Sequence, residues 1–132
     1  MANVLVVDDE VEVAEVIRRV LERAGYSVTV AHNAAAGLDA VARQPPHVVI
    51  TDVIMPKVHG VELIKILRER YPGIRVIAIS GGGSFGPLAY KPDAISTHAY
   101  LATAREAGAE EVLTKPFDMT DLIGAIRRLL PN

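Results

Sequence analysis

Short, almost continuously apolar runs alternate with longer segments of helical period, and this alternation constrains the fold more than any other feature of the chain. Five runs are predicted to be strands, namely residues 4–7, 27–31, 48–51, 76–79 and 111–113. Runs that are apolar on both faces are typical of central strands in a parallel sheet covered by helices. Residues 27–30 alternate between polar and apolar side chains instead, which favours an edge strand.

The segments between the strands carry apolar residues three or four positions apart, as amphipathic helices do. The stripe of the first helix has five members: Val13, Ile17, Val20, Leu21 and Ala24. Gly25 is a typical helix stop after this stripe, and Asn33 and Asp118 are placed to cap the second and the last helix. Strand–helix units joined by right-handed crossovers predict one α/β domain over residues 1–132, a doubly wound five-stranded parallel sheet in three layers.

Composition narrows the function classes. The chain has 132 residues, of which 50% are hydrophobic and 23% are charged, a net charge of −2 and no cysteine. The absence of cysteine excludes disulfides and thiolate chemistry, and the small net charge gives no basic excess that would point to nucleic acid. No apolar run approaches the roughly 20 residues of a membrane span, so we expect a cytoplasmic protein that does not contact a membrane. From the small net charge we also expect no direct contact with nucleic acid.

One stretch is too long for a compact repeat of strands and helices. Residues 81–96 contain four glycines and two prolines, which predicts an extended loop after the fourth strand, at about residues 82–98. The next helix is expected to begin near Ser96 or Thr97 and to end at Gly108. Our hypothesis is that this loop forms a partner surface or a lid; the alternative is that its apolar residues, Phe85, Leu88, Tyr90 and Ile95, cover the edge of the core.

Polar residues follow four of the predicted strands. They are Asp8, Asp9 and Glu10 after the first, Asp52 after the third, Ser80 after the fourth and Lys115 after the fifth. In doubly wound sheets the ligand site lies outside these carboxyl ends. Clustered carboxylates repel one another unless a cation lies among them, and oxygen ligands suit Mg²⁺. A lysine and a hydroxyl beside such carboxylates favour phosphoryl transfer, although each residue alone would pass for a cap, a strand end or a solvated charge.

In this order the motifs resemble the receiver domain of bacterial two-component response regulators, over essentially the whole chain. They are Val4-Leu5-Val6-Val7-Asp8-Asp9-Glu10, Asp52-Val53-Ile54-Met55-Pro56 with Gly60, Ser80-Gly81 and Lys115-Pro116-Phe117. The resemblance implies a flavodoxin-like sheet of strand order 2-1-3-4-5. It also implies that the chain is a phosphorylation-dependent switch rather than a turnover enzyme.

The resemblance assigns roles to the acidic residues. Asp52 is expected to accept a phosphoryl group from a histidine kinase or a phosphotransfer protein. Asp9, Asp52 and the backbone carbonyl of Ile54 are expected to bind Mg²⁺ directly. Asp8 is expected to act on the ion mainly through water.

The remaining roles concern contacts to the phosphoryl oxygens and the change in the protein surface that follows phosphorylation. Lys115 and Ser80 are expected to contact these oxygens, and Gly81 to keep their approach uncrowded. The change in loops and surface is expected to control a downstream protein through residues 82–112 and the last helix.

The sequence departs from the family's pattern in three places. Val112, three residues before Lys115, stands where receivers usually carry an aromatic residue or a histidine, so no ring can follow the hydroxyl group. The interval between Ser80 and Lys115 is about a dozen residues longer than the resemblance leads us to expect. Ile54 and Gly82, each two residues beyond a site residue, offer no side chain to orient water, which predicts slow hydrolysis of the phosphoryl group.

Two alternatives stay open. A pseudo-receiver, which binds partners without accepting phosphate, is favoured by Val112 and the long loop and disfavoured by the complete acidic set with Lys115. A Mg²⁺-dependent phosphatase with an aspartyl nucleophile needs a second carboxylate two residues after that nucleophile, where Ile54 stands.

Overall fold

The structure is a computed structural model that describes residues 2–53, 60–80, 102–114 and 117–130. Strands and helices alternate along it: β1 (Asn3–Val7), α1 (Val11–Arg23), β2 (Ser27–Ala31), α2 (Ala34–Arg43), β3 (Val48–Asp52), α3 (Gly60–Arg70), β4 (Arg75–Ser80), α4 (described over residues 102–107), β5 (Glu111–Thr114) and α5 (Met119–Leu129). Each predicted strand is present, with ends within one residue of the prediction.

The strands form one parallel sheet of order β2-β1-β3-β4-β5, which confirms the flavodoxin-like order. Val6 of β1 lies opposite Val30 of β2 on one side and Ile50 of β3 on the other. β2 is an edge strand, as its alternating pattern predicts, whereas every residue of β3 is buried. Both faces of the central strands are therefore covered.

Two hydrophobic layers enclose the sheet. On one face Leu5 and Val7 pack with residues of α2, α3 and α4, and on the other face Val4 and Val6 pack with residues of α1 and α5. Successive side chains of a strand point to opposite faces, so β1 serves both layers. The predicted three-layer architecture is confirmed, and its packing brings the carboxyl ends of the strands to one edge of the sheet.

Local sequence features end and begin the helices as predicted. Gly25 follows α1 with a φ of +102°, a conformation that favours glycine. The side chain of Asn33 accepts a hydrogen bond from the backbone N–H of Ala36 at 2.7 Å and caps α2. Gly108 follows α4 with a φ of +125°. The predicted extended loop, at about residues 82–98, and the start of the next helix lie outside the described residues.

Ion pairs join several elements at the amino end of the sheet. The carboxylate of Glu110 lies 2.8 Å from the guanidinium group of Arg68 and 3.1 Å from that of Arg75, and it accepts the N–H of Val76 at 3.2 Å. Arg128 of α5 pairs with Glu111 at 3.0 Å, and this hydrogen bond and the attraction between the charges raise the pKa of Arg128 above its ordinary value. Carboxylates at this end thus have cationic partners.

The helices of the described residues include none that is both long enough and apolar enough to cross a membrane.

Candidate functional site

Three carboxylates converge at the carboxyl ends of the two central strands. Asp8, Glu10 and Asp52 each offer a carboxylate oxygen, and these three oxygens lie within 4.8 Å of one another. The sheet register accounts for this proximity, because Val7 lies opposite Thr51 and an aspartate directly follows each of these two residues. Neighbouring parallel strands therefore deliver two acids to one point.

Two of these acids are buried. Asp8 is 0% exposed and Asp52 is 5% exposed, next to the fully buried Thr51. Aspartate is rarely buried without a compensating interaction, because removing a carboxylate from water costs several kcal/mol. Buried acids that face one another at the ligand-binding edge of an α/β sheet indicate a functional site rather than a solvated surface.

The loop between β1 and α1 is held by its own hydrogen bonds. The backbone N–H of Asp8 donates to the carbonyl of Ala31 at 3.0 Å, which extends the pairing of β1 with β2. A carboxylate oxygen of Asp8 accepts the N–H of Glu10 at 2.9 Å. Glu10 is the N-cap residue of α1 and has an extended backbone. This arrangement directs the side chains of both acids toward Asp52.

Gly60 packs directly against the backbone of the candidate acceptor strand. Its N–H donates to the carbonyl of Val53 at 2.8 Å, and a Cβ at this position would lie 2.0 Å from the carbonyl oxygen of Asp52. Real Cβ atoms do not approach so closely, so a larger residue here would displace either α3 or the end of β3. Gly60 thus has a steric role in the motif that includes Asp52: without a side chain, it allows the first residue of α3 to pack directly on the end of β3.

The structure brings together some of the predicted site residues and adds one. Asp8 and Asp52 lie in the cluster, whereas Asp9 is exposed and lies outside it. Glu10, to which the sequence prediction gave no ligand role, is the third member. The sequence does carry an indication of this role, because Glu10 follows Asp8 by two residues. Residues i and i+2 of an extended segment have their side chains on the same side.

The other predicted residues are placed as follows. Ser80 ends β4 opposite Thr114 of β5, which puts it at the same edge of the sheet as Asp52. Val112 lies in β5 and packs, half-buried, against the core layer of α2 and α3. The last three lie outside the described residues: Lys115, Gly81 and Ile54.

The donor set fits a hard divalent cation. The cluster consists of carboxylate oxygens from Asp8, Glu10 and Asp52, and Mg²⁺ prefers oxygen ligands, usually from one or two carboxylates with water or phosphate oxygens. Softer metals such as zinc favour nitrogen and sulfur ligands. The residues present are therefore suited to the magnesium ion that the receiver resemblance implies.

Comparison with known proteins identifies the class. The sequence profile described as "Response regulator receiver domain" matches residues 4–127. Among curated proteins, the chain is 34% identical over 128 residues to the uncharacterized transcriptional regulatory protein YkoG of Bacillus subtilis, covering 97% of this chain and 50% of YkoG. It is 30% identical over 130 residues to the response regulator receiver protein CpdR of Brucella abortus, covering 98% of each. The chain spans about half the length of YkoG and about a quarter (24%) of the transcriptional regulator NtrC of Rhizobium meliloti.

Solved structures agree with this assignment. The chemotaxis response regulator CheY4 of Vibrio cholerae superposes with a TM-score of 0.80 at 26% identity, with 98% of each chain covered. A response regulator receiver domain protein from Clostridium thermocellum superposes with a TM-score of 0.81 at 31% identity, with coverage of 98% of this chain and 94% of that one. The chain belongs to the response regulator receiver domain family, the phosphoacceptor signalling modules of two-component systems, which interact with histidine kinases and with downstream effectors.

Proposed function

We propose that Asp52 is the phosphoacceptor of this receiver domain, which we take to comprise residues 1–132. The observation that carries the proposal is the position of Asp52: buried, at the carboxyl end of a central strand, with a carboxylate oxygen within 4.8 Å of those of Asp8 and Glu10. The phosphodonor is a phosphohistidine of a histidine kinase or a phosphotransfer protein, encountered in the cytoplasm.

The proposed reaction transfers one phosphoryl group. A carboxylate oxygen of Asp52 forms a bond to phosphorus while the phosphorus–nitrogen bond of the phosphohistidine breaks, and the departing imidazole nitrogen takes a proton from solvent. Asp52 is well placed as a nucleophile because the fully buried strand β3 fixes its backbone. The packing of Gly60 on the carbonyl of Asp52 restricts that backbone from the other side.

Asp52 and Glu10 would hold the magnesium ion, together with the carbonyl of Ile54 and with Asp9, which the family resemblance assigns as a direct ligand. Asp8, the third member of the cluster, would act on the ion mainly through water. A bound Mg²⁺ neutralises charge on the oxygens of a transferring phosphoryl group. Electrostatic stabilisation of this kind is usually a large part of phosphoryl-transfer catalysis. Lys115 and Ser80 would contact the same oxygens from the ends of β5 and β4, with Gly81 leaving space for them.

The product acts as a switch. An aspartyl phosphate brings added negative charge and acceptor oxygens, and it favours whichever arrangement of the surrounding loops binds them better. Ser80 and Lys115 adjoin the segment that would respond, residues 82–112, and this segment with α5 forms the proposed surface for a downstream protein. Because Val112 has no ring to reorient, the response would run through the loop rather than through an aromatic side chain.

The experiment is incubation with acetyl phosphate and Mg²⁺, followed by intact mass measurement. We expect the wild-type chain to gain the mass of one phosphoryl group, and the gain to disappear in Asp52→Asn and in EDTA. Asp39→Asn is the matched control, since Asp39 is an exposed acid on α2, and it should be modified like the wild type. A gain that persists in Asp52→Asn would refute the proposal, and no gain in any protein would leave only a phosphorylation-independent binding role.

A further inference from the structure

His32 occupies the short connection between β2 and α2, and both of its neighbours are fixed. Ala31 ends β2 and pairs with Val7 of β1. Asn33 caps α2 through its hydrogen bond to the N–H of Ala36 at 2.7 Å. The backbone of His32 is therefore held from both sides, so two regular elements set the point from which its side chain extends and limit the rotamers open to it.

The imidazole of His32 reaches the loop that carries the acids. Its Nδ1 lies 3.2 Å from the backbone carbonyl oxygen of Asp8. A carbonyl oxygen only accepts hydrogen bonds, so Nδ1 carries the hydrogen and donates it. On the other side of the same residue, the N–H of Asp8 donates to the carbonyl of Ala31 at 3.0 Å. Two consecutive residues thus hold the two peptide groups that flank Asp8.

These contacts determine how the chain leaves β1. The carbonyl of Asp8 belongs to the peptide group that leads into Asp9, and the orientation of this group sets the course of the loop toward Glu10. The N–H of Glu10 then meets the carboxylate of Asp8 at 2.9 Å. If the carbonyl of Asp8 were released, this peptide group would be able to rotate, and the carboxylates of Asp8 and Glu10 would lose their fixed relation to Asp52.

We propose that His32 is a positioning residue of the site: its ring holds the β1–α1 loop so that the carboxylates of Asp8 and Glu10 converge with Asp52 on a divalent cation. This inference rests on the proposed function of that site. His32 itself contacts neither the cation nor the phosphoryl group in this account, and acts only through the backbone of Asp8.

The chain offers a matched control in His47. His47 is also exposed, and its Nδ1 accepts the backbone N–H of Asn3 at 2.9 Å. It therefore also makes a bond between ring and backbone, here as the acceptor and at the amino end of the sheet. Replacement of His47 removes a hydrogen bond of similar worth without touching the acidic loop.

The experiment is a titration with Mn²⁺, in which the electron paramagnetic resonance signal of the free ion reports binding. We expect His32→Ala to weaken Mn²⁺ binding about fivefold, the worth of one net hydrogen bond, and His47→Ala to leave it unchanged. His32→Asn places an amide N–H near the position of Nδ1, so it should recover most of the affinity. Thermal unfolding of each variant checks that the fold is intact.

A kinetic measurement separates positioning from a general loss of stability. Phosphorylation of His32→Ala by acetyl phosphate should need a higher Mg²⁺ concentration for half-maximal rate, while the rate at saturating Mg²⁺ stays near that of the wild type. Equal Mn²⁺ affinity of His32→Ala and wild type would overturn the inference alone. Absence of Mn²⁺ binding by the wild type, or unchanged binding by Asp52→Asn, would overturn the proposed function together with it.

Discussion

The two ends of the sheet differ in the groups that the described residues place beside their carboxylates. At the amino end Glu110 lies between the guanidinium groups of Arg68 and Arg75 and also accepts a backbone N–H. At the carboxyl end Asp8 and Asp52 are almost completely buried, and their oxygens lie close to each other and to Glu10. At the amino end, opposite charges pair and link neighbouring elements. At the carboxyl end, three acidic side chains lie together, as is typical of a binding site.

This difference separates the end of the sheet that ion pairs hold together from the end that carries the acidic cluster. The network around Glu110 joins α3, β4 and the start of β5, so it holds the sheet at the end opposite the acidic cluster. Clustered carboxylates repel one another, and a cation bound among Asp8, Glu10 and Asp52 would relieve that repulsion.

The largest effect is expected from Gly60→Ala. The new Cβ would lie 2.0 Å from the carbonyl oxygen of Asp52, so α3 or the end of β3 must move, at a cost of about 3 kcal/mol of unfolding free energy. Urea denaturation measures it. Gly73→Ala is the control at the amino end, where the added Cβ meets nothing within 4 Å and should change stability little. Equal effects of the two substitutions would show that the close contact at the site is not real.

The next largest effect is expected in the ion-pair network around Glu110, at the amino end of the sheet. Glu110→Ala removes both ion pairs and the acceptor of the Val76 N–H, and we expect a loss of about 1.5 kcal/mol in urea denaturation. Glu110→Gln keeps an acceptor for that N–H and should lose less. A stability equal to that of the wild type in both variants would remove the structural role of this network.

The opposite sign is expected at the site. Asp8→Asn keeps an oxygen for the N–H of Glu10 but removes one of three clustered charges, so in EDTA it should raise the free energy of unfolding by about 1 kcal/mol. The same substitution should diminish the stabilisation that added Mg²⁺ gives the wild type. If Asp8→Asn is destabilising in EDTA, as we expect Glu110→Gln to be, the contrast between the two ends fails.

The smallest effect separates two neighbours on the acidic loop. Glu10 lies in the cluster, whereas Asp9 is exposed and outside it, although the family resemblance assigns Asp9 as a direct ligand. From the structure we expect Glu10→Gln to reduce the Mg²⁺-induced rise in melting temperature more than Asp9→Asn does. The reverse order would mean that the loop rearranges to bring Asp9 onto the ion.

The elements that sequence analysis predicted well are those encoded locally. The alternation of residues 27–30 predicts an edge strand, and β2 lies at the edge. Gly25 and Asn33 end and begin helices for reasons that involve only their own backbones and nearest neighbours. The proximity of Asp8 and Asp52 could also be predicted, although it is not encoded locally, because the carboxyl ends of parallel strands lie at one edge of the sheet.

The features that sequence analysis missed depend on contacts between distant parts of the chain. The bond from His32 to the carbonyl of Asp8 spans 24 residues, and the pairing of Arg75 with Glu110 spans 35. Whether two such side chains meet depends on how distant elements pack and on the rotamers that this packing allows, which the local pattern does not specify. Glu10 was missed because the family resemblance directs attention to Asp9.

Chemical trapping of the phosphorylated residue tests the central claim most directly. Borohydride reduces an aspartyl phosphate to homoserine, so the wild-type chain, treated with acetyl phosphate and Mg²⁺, reduced and digested, can be mapped by mass spectrometry. The account predicts homoserine at position 52 and nowhere else, and its loss when EDTA replaces Mg²⁺. Homoserine at another aspartate position, or none in a chain that binds Mg²⁺, would contradict it.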